Sequence, residues 1–235
     1  MKKKVLEFLV KVPVVSNLMM LFFRFRANLF FLIYRNNKQV FYQIYKRNRW
    51  GNKESLSGPG STLEHTANIR KELPRLFSSL NVQSVLDAPC GDYNWFRFVQ
   101  EELRIQYTGA DIVPDLIARN QVAFGRKNVR FVNLDITADA LPQVDLWLCR
   151  DCLFHLCNKD IANVLTQFKK SNIRYLLTSL HPGCLENTDI QAGSFRLLNL
   201  QLEPFDLPEP LLKIKDWIPG HPVCYLTLWD RDMIP

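Results

Sequence analysis

The sequence has no G-x-G-x-x-G run. That excludes the backbone cradle with which dinucleotide-binding folds hold a pyrophosphate. It has no N-x-S/T sequon, in keeping with a cytoplasmic location. No uninterrupted apolar stretch reaches the ~18–20 residues needed to cross a bilayer. Histidine is scarce, at four residues, and no Cys/His pair falls at the usual zinc spacing. Of six cysteines, Cys149, Cys152 and Cys157 crowd beside His155; they read as free thiols of a reducing compartment, with no metal site. Acids are nearly missing from one region only, the first 50 positions.

What is present divides unevenly. Apolar residues make up 47% of 235, enough for the core of one α/β domain plus an accessory segment. The net charge of +7 is not spread evenly. Residues 1–50 hold eleven Lys/Arg and one acid, Glu7, a net of +10; the rest holds nineteen Lys/Arg and twenty-two acids, a net of −3. A mildly acidic domain argues against a phosphate-binding face and so against nucleic acid as partner. In the first 50 residues, apolar runs (Val12–Phe23 and Ala27–Tyr34) alternate with Lys/Arg. Three readings fit: a helix or hairpin lying on an anionic membrane surface, on the cytoplasmic side; a helical layer packed on the domain or on a second copy; and a true insertion. Residues 51–61, rich in Gly, Ser and Pro, read as a linker or lid loop, and 62–235 as the main domain. Ser61-Thr62-Leu63-Glu64 matches a capping box opening a helix towards Leu80, which Pro74 should kink or divide.

The organising stretch is Ser84-Val85-Leu86-Asp87-Ala88-Pro89-Cys90-Gly91-Asp92. A short apolar run ends in a carboxylate and breaks into a Pro/Gly turn, and a helix-compatible aromatic segment follows. That is strand, tight loop, helix, and ligands of open α/β sheets bind outside the carboxyl ends of such strands. Gly91 lets backbone approach a ligand closely. Asp87 suits a cationic or hydroxyl-bearing ligand.

Two further strands end the same way. Ile105–Ile112 carries Asp111, 24 residues after Asp87, and Val129–Ile136 carries Asp135, 24 residues on again. A carboxylate at the end of the second strand can accept both ribose hydroxyls. Three acids at three successive strand ends match one extended nucleoside ligand. Val144–Cys149 reads as the fourth strand, Ile173–His181 as the fifth and Cys224–Trp229 as the last.

On Asp87, Cys90, Gly91 and Asp92, a D-x-x-C-G-D form of their first motif, the sequence resembles the class I S-adenosylmethionine-dependent methyltransferases, over roughly residues 60–230. The resemblance implies a Rossmann-like seven-strand α/β sandwich with an antiparallel C-terminal edge, and S-adenosylmethionine as cofactor. It implies that Asp87, Ala88, Pro89, Cys90 and Gly91 contact the cofactor's amino-acid end, Asp111 and Ile112 the ribose side, and Asp135 and Ile136 the adenine. Arg150 joins this set. The loop after the fourth strand would face the transferable methyl, which makes Asp151 and His155 candidate general bases, with His181 a second imidazole at the end of the fifth strand. A lid ahead of the first strand would bring Trp50 and Arg70 to substrate or cofactor. The polar loop Asn187–Arg196 lies where such enzymes build the acceptor pocket, so Asn187, Asp189 and Arg196 are acceptor-binding candidates. The form of the motif resembles bacterial methyltransferases of glycan and small-molecule biosynthesis, which implies a hydroxyl on a sugar, lipid-linked at a membrane, as acceptor. The rival readings are a nucleic-acid methyltransferase, a non-catalytic cofactor-binding module and a membrane scaffold.

Overall fold

Val85 and Leu86 are adjacent, so they point to opposite faces of a strand, and both are fully buried. The strand that holds them must therefore be covered on both sides, as in a doubly wound parallel sheet. The structure, a computed structural model, describes residues 36–235 and has this architecture. Its strands are β1 (Ser84–Asp87), β2 (Gln106–Asp111), β3 (Val129–Asn133), β4 (Leu146–Cys149), β5 (Tyr175–Leu180), β6 (Leu212–Lys215) and β7 (Tyr225–Asp230). They form one sheet in the order β3-β2-β1-β4-β5-β7-β6. The first five are parallel, and β7 runs antiparallel to both β5 and β6.

Helices α1 (Asn37–Lys46), α2 (Ala67–Ser79), α3 (Phe96–Leu103), α4 (Pro114–Phe124) and α5 (Asn158–Lys170) accompany the sheet. Leu86, Trp147, Leu176 and Trp229 meet Ile161, Val164 and Phe168 of α5 in one core layer. Val85, Tyr107, Leu148 and Leu177 meet Leu73 and Phe77 of α2 and Phe96 of α3 in the other. Each large side chain so buried contributes about 1.5–3 kcal/mol. The strand order reverses between β1 and β4, and a crevice opens there at the carboxyl ends of the strands.

Three local expectations are corrected. The capping box does not form: the Glu54 carboxylate takes the Leu63 N–H, and α2 starts later, after Thr66. Pro74 lies buried inside α2 without dividing it; the helix continues through it at the cost of the hydrogen bond its N–H would have made to the Arg70 carbonyl. The sequence reading passes over β6, a four-residue edge strand whose residues alternate between half-buried and exposed. Of the N-terminal segment, residues 1–35 lie outside the described residues. α1 packs on the domain, burying Val40 and Ile44, and its Asn37 and Tyr42 side chains donate to Asp160 and Asp115. No helix of the described residues is long and apolar enough to cross a membrane.

Candidate functional site

Two cavities open at the carboxyl ends of the strands. The first, of about 1030 Å³, runs along the ends of β1, β2 and β4 and the loop after β3. Asp87, Asp111 and Asp135 all line it, with Pro89, Cys90, Gly91, Ile112, Ile136 and Arg150. The second, of about 1370 Å³, lies between residues 49–65, the loops after β4 and β5, and residues 216–224. Trp50, Ser57, Asp151 and His155 line both.

The first cavity is built to receive hydrogen-bond donors and positive charge. Asp87 is 3% exposed, and one of its oxygens accepts the Tyr107 hydroxyl at 2.7 Å. Burial pushes its pKa up to about 7, opposed by the Tyr107 hydrogen bond and by Arg150. Asp111 accepts backbone N–H groups from Val113 at 3.0 Å and Gly91 at 3.3 Å, yet burial still holds its pKa up at about 6. Buried carboxylates left this short of partners favour a ligand that brings its own donors. One oxygen of Asp135 accepts the Thr137 N–H and hydroxyl; the apolar side chains of Leu116, Leu134 and Ile136 stand around it in the same cavity. Carboxylates at two depths, an apolar slot and the Gly91 turn fit an amino-acid nucleoside.

Gly91 has φ +53°, and a Cβ there would collide with the Ser57 hydroxyl. The glycine thus serves a close backbone approach, but to residues 55–57 as well as to a ligand. Asp92 explains why. Its carboxylate accepts from the Ser55 hydroxyl, the Leu56 N–H and the Ser57 hydroxyl, and its N–H donates to Ser57 Oγ. The last acid of the motif is therefore a latch holding the 50–61 loop over the first cavity. The sequence reading allowed a helical layer on the domain but did not bring α1 to that cavity, which its Asn37, Phe41 and Tyr45 line. Their i, i+4 spacing on one helical face was the available signal.

Arg150 lies on the first cavity's wall, but its guanidinium is spent on protein partners. It pairs with Asp216 at 2.7 Å and with Asp151 at 3.0 Å, and donates to the Gly60 carbonyl at 2.8 Å. It is a buried tie between β4, the lid and the segment after β6. Ligand-type atoms of Asp151, Asp216 and Cys224 approach within 4.8 Å of one another, and Arg150 already ion-pairs with both carboxylates there. Cys149-Arg150-Asp151-Cys152 is a C-x-x-C spacing. Both thiols are free and buried, and the hydrogen bond with Cys149, together with burial, pushes the Cys152 thiol well up, which keeps it protonated.

Asp151 sits at φ +50°, a left-handed conformation that costs a non-glycine residue about 1 kcal/mol or more. Its backbone N–H donates to Ser179 Oγ, and its carboxylate accepts the Ser179 hydroxyl. A Cβ on Gly60 would come within 2.6 Å of that carboxylate, so the lid glycine leaves room for it. His155 is held by Nδ1, 2.7 Å from the Ser194 carbonyl oxygen. A carbonyl only accepts, so Nδ1 carries the proton and Nε2 is left with a lone pair. Desolvation lowers the pKa of His155, so the ring is neutral at pH 7. His181 is buried and lines only the second cavity.

Of the five acceptor-binding candidates, the structure brings Trp50 to the cavities and gives Arg70, Asn187, Asp189 and Arg196 protein partners. Trp50 lines both cavities, with its ring 5.6 Å from that of His155. Arg70 lies along neither; it donates to the Leu63 carbonyl and covers the Phe98 ring. Asn187 donates to the carbonyls of Asn199, Leu202 and Glu203. Asp189 accepts the first N–H of α5, from Asn158. Arg196 donates to the carbonyls of Thr188 and Leu156 and to the Asn158 side chain. In the loop, Asn187, Asp189 and Arg196 thus spend polar groups on backbone that no sheet pairs, its own and that of the segment entering α5.

Residues 85–171 match a family model described as a methyltransferase domain. No curated protein matches. Solved structures resemble the chain in fold. The 1,6-didemethyltoxoflavin-N1-methyltransferase of Burkholderia thailandensis, bound to 1,6-didemethyltoxoflavin and S-adenosylhomocysteine, is 17% identical, with 82% of this chain and 86% of that one covered and a TM-score of 0.57. The N-methyltransferase NodS of Bradyrhizobium japonicum is 15% identical over 71% of this chain and 96% of that one, at 0.54. The magnesium protoporphyrin IX methyltransferase of Synechocystis, with bound S-adenosylhomocysteine, is 12% identical over 80% and 93%, at 0.52.

Proposed function

We propose that this methyltransferase domain moves a methyl group from S-adenosylmethionine to a hydroxyl of a small acceptor, a sugar or a similarly hydroxylated ring. The observation that carries the reading is the junction of the two cavities at Asp151 and His155. S-adenosylmethionine supplies an activated methyl on a sulfonium, and the first cavity has the donor-seeking carboxylates to hold it: Asp87 for the ammonium, Asp111 for ribose hydroxyls and Asp135 for the adenine edge. The second cavity takes the acceptor.

An alcohol oxygen is a weak nucleophile until its proton is leaving. Of the three candidate bases, His155 fits best: its Nε2 lone pair is fixed by the Ser194 carbonyl, and it borders both cavities. Asp151 has one oxygen on Arg150 and the other on the Ser179 hydroxyl. It is a positioning residue whose negative charge steadies the imidazolium formed at His155. In-line alignment across the junction supplies the remaining acceleration.

Attachment to the inner face of a membrane through residues 1–50 is part of the same proposal, supported by their net of +10. A lipid-linked acceptor would meet the enzyme there. Replacement His155→Gln should lower kcat by about 10²–10⁴ while leaving S-adenosylmethionine affinity, read by calorimetry, unchanged. An unaltered kcat would remove His155 as the base.

A further inference from the structure

All four histidines of the chain, His65, His155, His181 and His221, line the second cavity. Two of them are fixed in opposite tautomers. At His155, Nδ1–H donates to the Ser194 carbonyl and Nε2 is an acceptor. At His181, Nδ1 accepts the Leu198 N–H at 3.4 Å, so the neutral ring carries its proton on Nε2. Neither Nε2 has a hydrogen-bond partner among the described residues, and neither is an occluded unpaired atom. These two rings therefore present one imidazole acceptor and one imidazole donor to the cavity. Both rings lie against Phe154, at 4.6 and 5.0 Å, and both lie 6.1 Å from Phe195. Phe195 is 55% exposed, an apolar ring left open beside two polar ones.

We infer that the acceptor is a ring bearing two oxygens on neighbouring carbons: a vicinal diol, methylated on the oxygen that His155 deprotonates and recognised through its neighbour by His181 Nε2–H. A donor aimed at the attacking oxygen itself would withdraw the electron density that the displacement needs. The same donor on the adjacent oxygen costs the nucleophile nothing and fixes which hydroxyl reacts. The exposed face of Phe195 suits the flat side of the ring. In the reaction the new O–CH3 bond forms as the S–CH3 bond breaks. The hydroxyl proton passes to His155 Nε2, and S-adenosylhomocysteine leaves. Two sources share this chemistry, an aromatic diol and a sugar diol.

The inference rests on the hydroxyl-acceptor reading and is tested separately from it. In the full chain, histidine ¹⁵N NMR should show His155 unprotonated and His181 protonated at Nε2. Catechol or cis-1,2-cyclohexanediol, a saturated stand-in for a sugar diol, at a concentration that saturates, should shift the His181 Nε2–H signal, whereas phenol or cyclohexanol should not; which diol acts tells the two sources apart. In turnover the active diol should have a KM at least tenfold below that of its mono-hydroxyl counterpart. His181→Phe should abolish that difference and His181→Gln, which keeps a donor, should restore it. A His181 ring protonated on Nδ1, a signal unmoved by both diols, or equal KM values for diol and mono-ol would each overturn the inference. Failure of the broader reading looks different: no hydroxyl compound is methylated, whatever the state of His181.

Discussion

The two cavities were assembled by different means. The first is walled by strand ends and the short turns after them; the second is walled by a lid, long loops and the segment after β6. In the first, the chemistry-bearing side chains Asp87, Asp111 and Asp135 stand at or just past the ends of successive strands and face the ligand space. In the second, the conspicuous polar residues of the loop, Asn187, Asp189 and Arg196, turn inward to backbone groups of the loop, of the segment after it and of the start of α5. Imidazoles and aromatic rings line the cavity itself, beside the Asp151 and Asp216 carboxylates that Arg150 pairs. A parallel sheet pairs its own backbone, which frees a side chain at its edge for function. An irregular loop must spend its polar side chains on itself.

That contrast is sharpest at Asn187, which touches three carbonyls and, through its own oxygen, the Asn199 N–H. Replacement Asn187→Ala orphans these groups together. Stability should fall by about 3–5 kcal/mol, since one buried unpaired group costs about 1–3 kcal/mol. If the residue bound acceptor instead, denaturant unfolding would be little changed and only the acceptor KM would rise. The corresponding break in the first cavity is Asp87→Asn. It should leave the fold in place, because the side chain keeps its size and its Tyr107 neighbour. Cofactor affinity by calorimetry should drop roughly 10–100-fold, the worth of one hydrogen bond to a charged group. Equal affinity in the two proteins would show that the strand-end carboxylate is structural, and the contrast between the cavities would collapse.

The same contrast decides what was legible in the sequence. The strand-end acids could be read because each closes a short apolar run at a regular spacing of 24 residues, and the mostly parallel sheet followed from the alternation of strands and helices. The termination of the third strand was placed late: β3 ends at Asn133, and Asp135 caps the turn beyond it. Arg150 could not be read correctly from its position beside Asp151. Its strongest partner, Asp216, is 66 residues away and reaches it only through the return of the chain along β6. β6 itself was hidden because four residues between proline-rich and aromatic stretches carry too little alternation to mark a strand. The aim of the Asp92 carboxylate was likewise invisible, since the loop it latches lies 35–37 residues earlier.

The smallest expected effect concerns protons, and it too separates the cavities. In the ligand-free protein the Asp87 carboxyl sits at about 7 and Asp111 at about 6, both raised by burial above the ordinary 3.8. Between pH 4 and 7 the folded state therefore binds protons at these positions that the unfolded state does not, and their contribution to stability falls as pH rises through that window. The buried imidazoles act the other way. His155 and His181 are held below 6.5 by desolvation, so the unfolded chain takes up the extra protons, and their contribution to stability is lost as pH falls below 6.5. A ligand that brings positive charge and hydroxyl donors into the first cavity favours the ionised carboxylates, so its binding must release protons near pH 6.5 and cease to do so near pH 8. Calorimetry of S-adenosylmethionine binding in two buffers of different ionisation enthalpy measures this directly. Wild type should release a fraction of a proton at pH 6.5, Asp87→Asn a smaller fraction, and His181→Gln as much as wild type. Equal release by wild type and Asp87→Asn would mean that Asp87 is already ionised before the cofactor arrives, and that the first cavity does not depend on its ligand to settle its charge.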